Sequence, residues 1–175
     1  DSPTLLLIMI MLLVVAVGSL AGEWLSVKGY LGDAWFWLGH SGYEYIDLGR
    51  VWQMALAAGL VLWFVLMARA IAPALRRADT QRPLLALLLV STGAIAAFYF
   101  AALGYWRHTN LAVAEYWRWW VVHLWVEGFF EVFATVALAF IFVTLGLIKP
   151  KSATKASLLS TSIFLVGGIP GTFHH

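Results

Sequence analysis

Long apolar runs alternate with short polar stretches along this chain. The runs lie near residues 3–22, 51–72, 84–106, 117–148 and 156–175. Each is of the order needed for a helix to cross a bilayer, about 20 residues. The pattern therefore predicts an all-α polytopic transmembrane helix bundle of about five spans, read as a single transmembrane region over 1–175. The first run contains a passable cleavage site, Gly18-Ser19-Leu20-Ala21, and could be mistaken for a signal peptide. The chain opens Asp1-Ser2-Pro3, however, with no initiator Met and no basic n-region, and the run is long for an h-region, so it reads as a span. The missing Met suggests a piece of a longer polypeptide. Residues 23–50 form a polar connection rich in Trp, Tyr and Phe and punctuated by glycine, as expected of a loop packed at a membrane interface. Lys149-Pro150-Lys151-Ser152 is expected to end the fourth helix, because proline cannot continue one. Gly167-Gly168 and Pro170 are expected to interrupt the fifth.

Composition agrees with that division. The chain is 62% hydrophobic and only 11% charged, against about 25% charged in soluble domains. Lacking cysteine, it can build no disulfide, thiolate metal site or iron–sulfur cluster. The net charge of +2 forms no basic stripe, so nucleic acid is not an expected partner; membrane lipid is. Arg69, Arg76, Arg77, Arg82, Lys149, Lys151 and Lys155 gather on one side, which should be cytoplasmic. The 23–50 loop should then face out.

The chemistry sits in the fourth run. His123, Glu127 and Glu131 recur at intervals of four, and on an α-helix four residues turn about 400°, so they share one face. Ionisable groups at membrane depth survive where they are paired, solvated or bound to metal. The fifth run ends on a second polar interruption, His174-His175. Entering from opposite sides, His123 lies about 12 Å along its helix and the paired histidines about 27–30 Å along theirs, which places both in the outer half of the bilayer. Three imidazoles and one or two carboxylates at one depth suit iron or zinc over copper(I). Adjacent histidines point about 100° apart, so sharing one metal requires local distortion or a metal seated between them. Glu127 could be a ligand or a proton donor. Glu131, a turn further in, fits a relay role, or a neutral carboxyl bonded to backbone. His40 and His108 read as solvated loop residues. Glu44 and Asp47, beside loop aromatics, could bind calcium or a cationic partner.

The run Trp119-Trp120-Val121-Val122-His123-Leu124-Trp125-Val126-Glu127-Gly128, with Glu131 after it, resembles the signature of the catalytic subunit of bacterial nitric oxide reductases. Gly167-Gly168-Ile169-Pro170-Gly171-Thr172-Phe173-His174-His175 resembles the second metal-binding stretch of that family. Leu31 to His40, with Tyr43-Glu44-Tyr45, is similar to the quinol-dependent branch. The resemblance implies a bundle of twelve or more spans of the haem–copper oxidase superfamily, in the bacterial cytoplasmic membrane. It implies a haem b/non-haem iron centre, with His123, His174, His175 and Glu127 as iron ligands and Glu131 serving protonation. Glu44 would lie near the haem propionates, where the family can bind calcium. The implied reaction takes two nitric oxide molecules to nitrous oxide and water with electrons from quinol, in a respiratory chain of denitrification. The axial ligands of the low-spin and high-spin haems would come from the remaining helices of the same catalytic chain, since no suitable histidine is left here. A homodimer is compatible with this scheme. An oxygen-reducing oxidase, a cation or proton transporter subunit, and a structural subunit with polar helix–helix contacts are the competing readings. The oxidase reading is weakened by the absence of a tyrosine soon after His123.

Overall fold

The computed structural model describes residues 2–77 and 80–173. Among them are five helices long and apolar enough to cross a membrane, and no strand. The chain is a multi-pass membrane protein. The elements are α1 (Ser2–Val27), α2 (Trp35–Leu38), α3 (Arg50–Arg77), α4 (Arg82–Phe98), α5 (Leu111–Trp119), a π-helical segment (Trp120–Phe130), α6 (Glu131–Thr144) and α7 (Pro150–Gly171). The segments α5, π and α6 form one continuous rod. Helix α1 packs on α3 and α3 on α4, while α4 and α7 lie against α6 and the π segment. Leu5, Leu6, Met9, Leu13 and Leu20 of α1 stay exposed, as a lipid-facing surface requires.

Several helix ends differ from the apolar runs, for identifiable reasons. The rod begins at Leu111 rather than 117, because Asn110 caps it: its Oδ1 accepts from the Ala112 N–H at 2.9 Å. The rod ends at Thr144, and Pro150 is not its terminator. Gly146 is, at φ 73°, with the Leu147 N–H donating to the Phe142 carbonyl at 2.9 Å and the Gly146 N–H to the Val143 carbonyl at 3.0 Å. Pro150 instead opens α7, where its missing N–H costs nothing. Helix α7 then runs unbroken through Gly167-Gly168 and Pro170 to Gly171. Helix α3 continues past 72 through Pro73, bringing Arg76 and Arg77 into its last turn beside the negative end of the helix dipole.

Helix α1 runs past the expected end near 22 to Val27, and the connection over residues 28–49 folds over one end of the bundle. A 3₁₀ turn (Gly32–Ala34) and the single turn α2 are followed by a loop closed by a bridge between His40 and Leu48. Phe36 is buried edge-on against Trp106 and Tyr105. Beneath it lies Arg50, only 4% exposed. Its guanidinium donates to the Ala102 carbonyl at 3.2 Å and to the Tyr105 carbonyl, and sits 4.7 Å from the Tyr105 ring centroid. Helix α4 tightens there into a 3₁₀ turn (Tyr99–Leu103), whose Ala102 carbonyl is bound by the arginine instead of water. Buried Gln53 and the Tyr105 hydroxyl both donate to the Ile46 carbonyl, at 2.8 and 2.7 Å. The core falls into two clusters. One, at this end, includes Phe36, Ile46, Tyr99, Tyr105 and Val121. The other, towards Arg76, includes Ile71, Leu84, Leu88, Val132 and Val136.

Candidate metal centre

The π-helical winding of Trp120–Phe130 shapes the site. Each N–H there reaches back five residues instead of four, so the turn is wider. Residues four apart then stand closer to one line along the axis than the 400° of an α-helix would leave them. Leu124 and Gly128 fall on the buried side, followed by Val132 and Val136 of α6. His123, Glu127 and Glu131 form a second stripe, one residue round from the first.

Within that stripe, His123 Nδ1 lies 2.6 Å from Glu127 Oε2, close enough to share a proton. The histidine side chain is 16% exposed and the glutamate 52%. The Trp119 indole stacks on the His123 ring with centroids 4.7 Å apart and planes at 15°. Glu131 does not join this contact. It lines, with His123, Glu127, Ile163, Phe164, Gly167 and Gly168, an open cleft of about 420 Å³ between the rod and α7.

Helix α7 approaches His123 closely because it carries glycine there. A Cβ on Gly168 would stand 2.7 Å from the His123 carbonyl oxygen, and one on Gly171 would meet the His123 ring at 3.1–3.2 Å. The two polar stretches of the sequence therefore come together as far as Gly171. His174 and His175 lie outside the described residues. Among the described residues, no group of three or more His, Asp or Glu is gathered tightly enough to hold a metal ion.

Do the two converged donors fit a metal? Zinc-like bonds of about 2.0–2.2 Å to imidazole and carboxylate place neighbouring donors about 3 Å apart. His123 Nδ1 and Glu127 Oε2 are already at 2.6 Å, so a small side-chain rotation accommodates an ion between them. Loading it would displace the shared proton. This pair is chemically suited to iron or zinc.

Glu44 stands apart from the pair. It is 74% exposed, and its cationic neighbour is Arg118, whose Nη1 lies 3.9 Å from Glu44 Oε2. Arg118 also grips Glu115 by both carboxylate oxygens, at 3.0–3.1 Å, and places its guanidinium 4.5 Å from the centroid of the Trp119 ring. Sequence reasoning singled out neither Arg118 nor Arg50. Their positions beside aromatic clusters were the available signal.

The whole chain, residues 1–175, matches the family described as Cytochrome C and Quinol oxidase polypeptide I. Over 87 residues, half of the chain, it is 31% identical to a nitric oxide reductase subunit of Stutzerimonas stutzeri. Those residues amount to 18% of that relative's length. With five apolar helices and a match that leaves no residue out, the chain belongs to the cytochrome c and quinol oxidase polypeptide I family, the haem–copper oxidases.

Proposed function

We propose that this chain provides the non-haem metal side of a nitric oxide-reducing centre, in an oxidoreductase of the bacterial cytoplasmic membrane fed by quinol. The observation that carries the reading is the 2.6 Å approach of a carboxylate, Glu127, to the imidazole of His123 on one helix face. A mixed imidazole–carboxylate pair favours iron over copper. The absence of a tyrosine in the turns after His123 argues in the same direction, and so does the likeness to a nitric oxide reductase over half of the chain.

His123 and Glu127 would hold the iron, joined by His174 and His175 on the strength of the sequence motif. When bound, iron supplies positive charge that neutralises oxygen made basic by reduction and acts as a template for two small molecules. The protein's own residues have a proton task. Two nitric oxide molecules, two electrons and two protons yield one nitrous oxide and one water. Glu127 and Glu131 face one cleft, so a proton held on the Glu131 carboxyl has a short path to the Glu127 oxygens. Ile163 and Phe164 give the same cleft an apolar side. Haem b, with axial ligands from further helices, would complete the centre. Quinol as donor rests on the likeness of the 23–50 loop to the quinol-dependent branch.

The test is anomalous scattering at the iron edge on the intact membrane protein. An iron peak within bonding distance of His123 and Glu127, separate from haem iron, supports the proposal. A copper signal there would turn the reading to oxygen reduction, and a protein without haem would turn it to cation or proton transport.

A further inference from the structure

The contacts of Arg118 run in one line from the loop end of the bundle to the metal centre. Glu115 takes its guanidinium in a two-point grip, and Glu44 adds a second carboxylate at 3.9 Å. The same guanidinium covers the Trp119 ring at 4.5 Å. That indole in turn stacks on His123 at 4.7 Å with near-parallel planes, and His123 meets Glu127. Glu115 precedes Trp119 by four residues and His123 follows it by four, so the indole lies between cation and imidazole along the rod.

We propose that Arg118 is a positioning residue for His123, acting through the Trp119 indole. An imidazole ring can rotate about its side-chain bonds, and a metal ligand must be held in one orientation. A stacked indole restricts that rotation only if it is itself immobile. The guanidinium provides this, because its planar fork binds Glu115 at two points while its face lies on the ring. With a side chain only 16% exposed, Arg118 is also shielded from competing water. Glu44 extends the line to the 23–50 loop, so the setting of a ligand ring depends on a contact made outside the helix that carries it.

This inference rests on His123 being a metal ligand, and its test separates the two ideas. The measurement is nitrogen-15 histidine spectroscopy of the full protein in lipid nanodiscs, with the His123 signals assigned by His123→Asn. Arg118→Met keeps side-chain length and loses the fork; Arg118→Lys keeps the charge alone. Both are expected to shift and broaden the His123 ring signals. Both should lower turnover about tenfold, within the range for residues supporting a ligand, with KM changed less than twofold and haem content preserved. Arg107→Met is the control: among the described residues its guanidinium donates to the Asp33 carbonyl and lies 5.7 Å from the Phe36 ring centroid, with neither Trp119 nor His123 among those contacts. Should Arg118→Met fail to fold, Trp119→Phe serves, keeping a smaller ring in the stack and giving the same signal changes in weaker form. Unchanged His123 signals in Arg118→Met, or full rescue by Arg118→Lys, would overturn the positioning role. If wild-type protein carries no metal at His123 while Arg118→Met still moves its ring signals, the functional reading fails and the positioning role stands.

Discussion

Gly168 offers the most decisive perturbation. Replacing it by alanine puts a Cβ at 2.7 Å from the His123 carbonyl oxygen, where ordinary contact begins at 3.4 Å. The shortfall, 3.4 − 2.7 = 0.7 Å, must be met by backbone, because the obstructing atom belongs to the main chain of the rod. Helix α7 would move away from His123 by about that distance. Overpacking of this kind costs about 1–3 kcal/mol, while a misplacement near 1 Å at a reacting centre costs on the order of 10²-fold in rate. Gly167→Ala is the matched control, since its Cβ would meet nothing within 4 Å. Both substitutions improve helix propensity equally, by about 1 kcal/mol, so their difference isolates the contact. The assay is iron and haem content per protein, with turnover and thermal unfolding, on both variants of the intact protein. Gly167→Ala should match or exceed wild type in stability and keep its activity. Gly168→Ala should keep haem, lose most non-haem iron and fall by about 10²-fold in turnover. Equal behaviour of the two variants would refute the claim that close approach of α7 sets the geometry at His123.

Three further outcomes are expected. Glu127→Gln should keep haem yet lose the non-haem metal measured by elemental analysis; retention of iron would remove Glu127 from the ligand set. Glu131→Gln should retain the metal and lower turnover by at least about 10²-fold with a larger solvent isotope effect; unaltered turnover would end its relay role. Arg50→Met should destabilise the protein by about 3–5 kcal/mol in denaturant unfolding, since the Ala102 and Tyr105 carbonyls both lose a charged donor; a change below about 1 kcal/mol would contradict the clamp.

The spans were legible because bilayer crossing needs apolar length, and apolar length is visible in a linear pattern. The ends were not, because they depend on single capping residues. Asn110 extends the fourth helix into a polar stretch, and Gly146 stops it in an apolar one. Pro150 was read for what proline forbids, whereas its position at the start of α7 uses what proline permits. The pairing of His123 with Glu127 followed from their spacing. The π winding did not, although a trace of it lies in the strict interval of four shared by Trp119, His123, Glu127 and Glu131 and by Leu124, Gly128, Val132 and Val136. A true α-helix would drift about 40° at each such step. The approach of Arg118 to Glu44 was hidden, because that partner lies on a loop more than seventy residues away.

The wide winding between Trp120 and Phe130 also means that the rod holds surplus chain within its own length. In a regular α-helix, losing one residue turns everything beyond it by about 100°. Here a lost residue can be absorbed by narrowing one turn, leaving α5 and α6 seated on their neighbours. What changes is the alignment inside the segment, where His123 faces Glu127. Tolerance of the bundle and intolerance of its chemistry are thus separated along a single helix. Single-residue deletions in this stretch should yield folded, lipid-embedded proteins that differ in what they can bind.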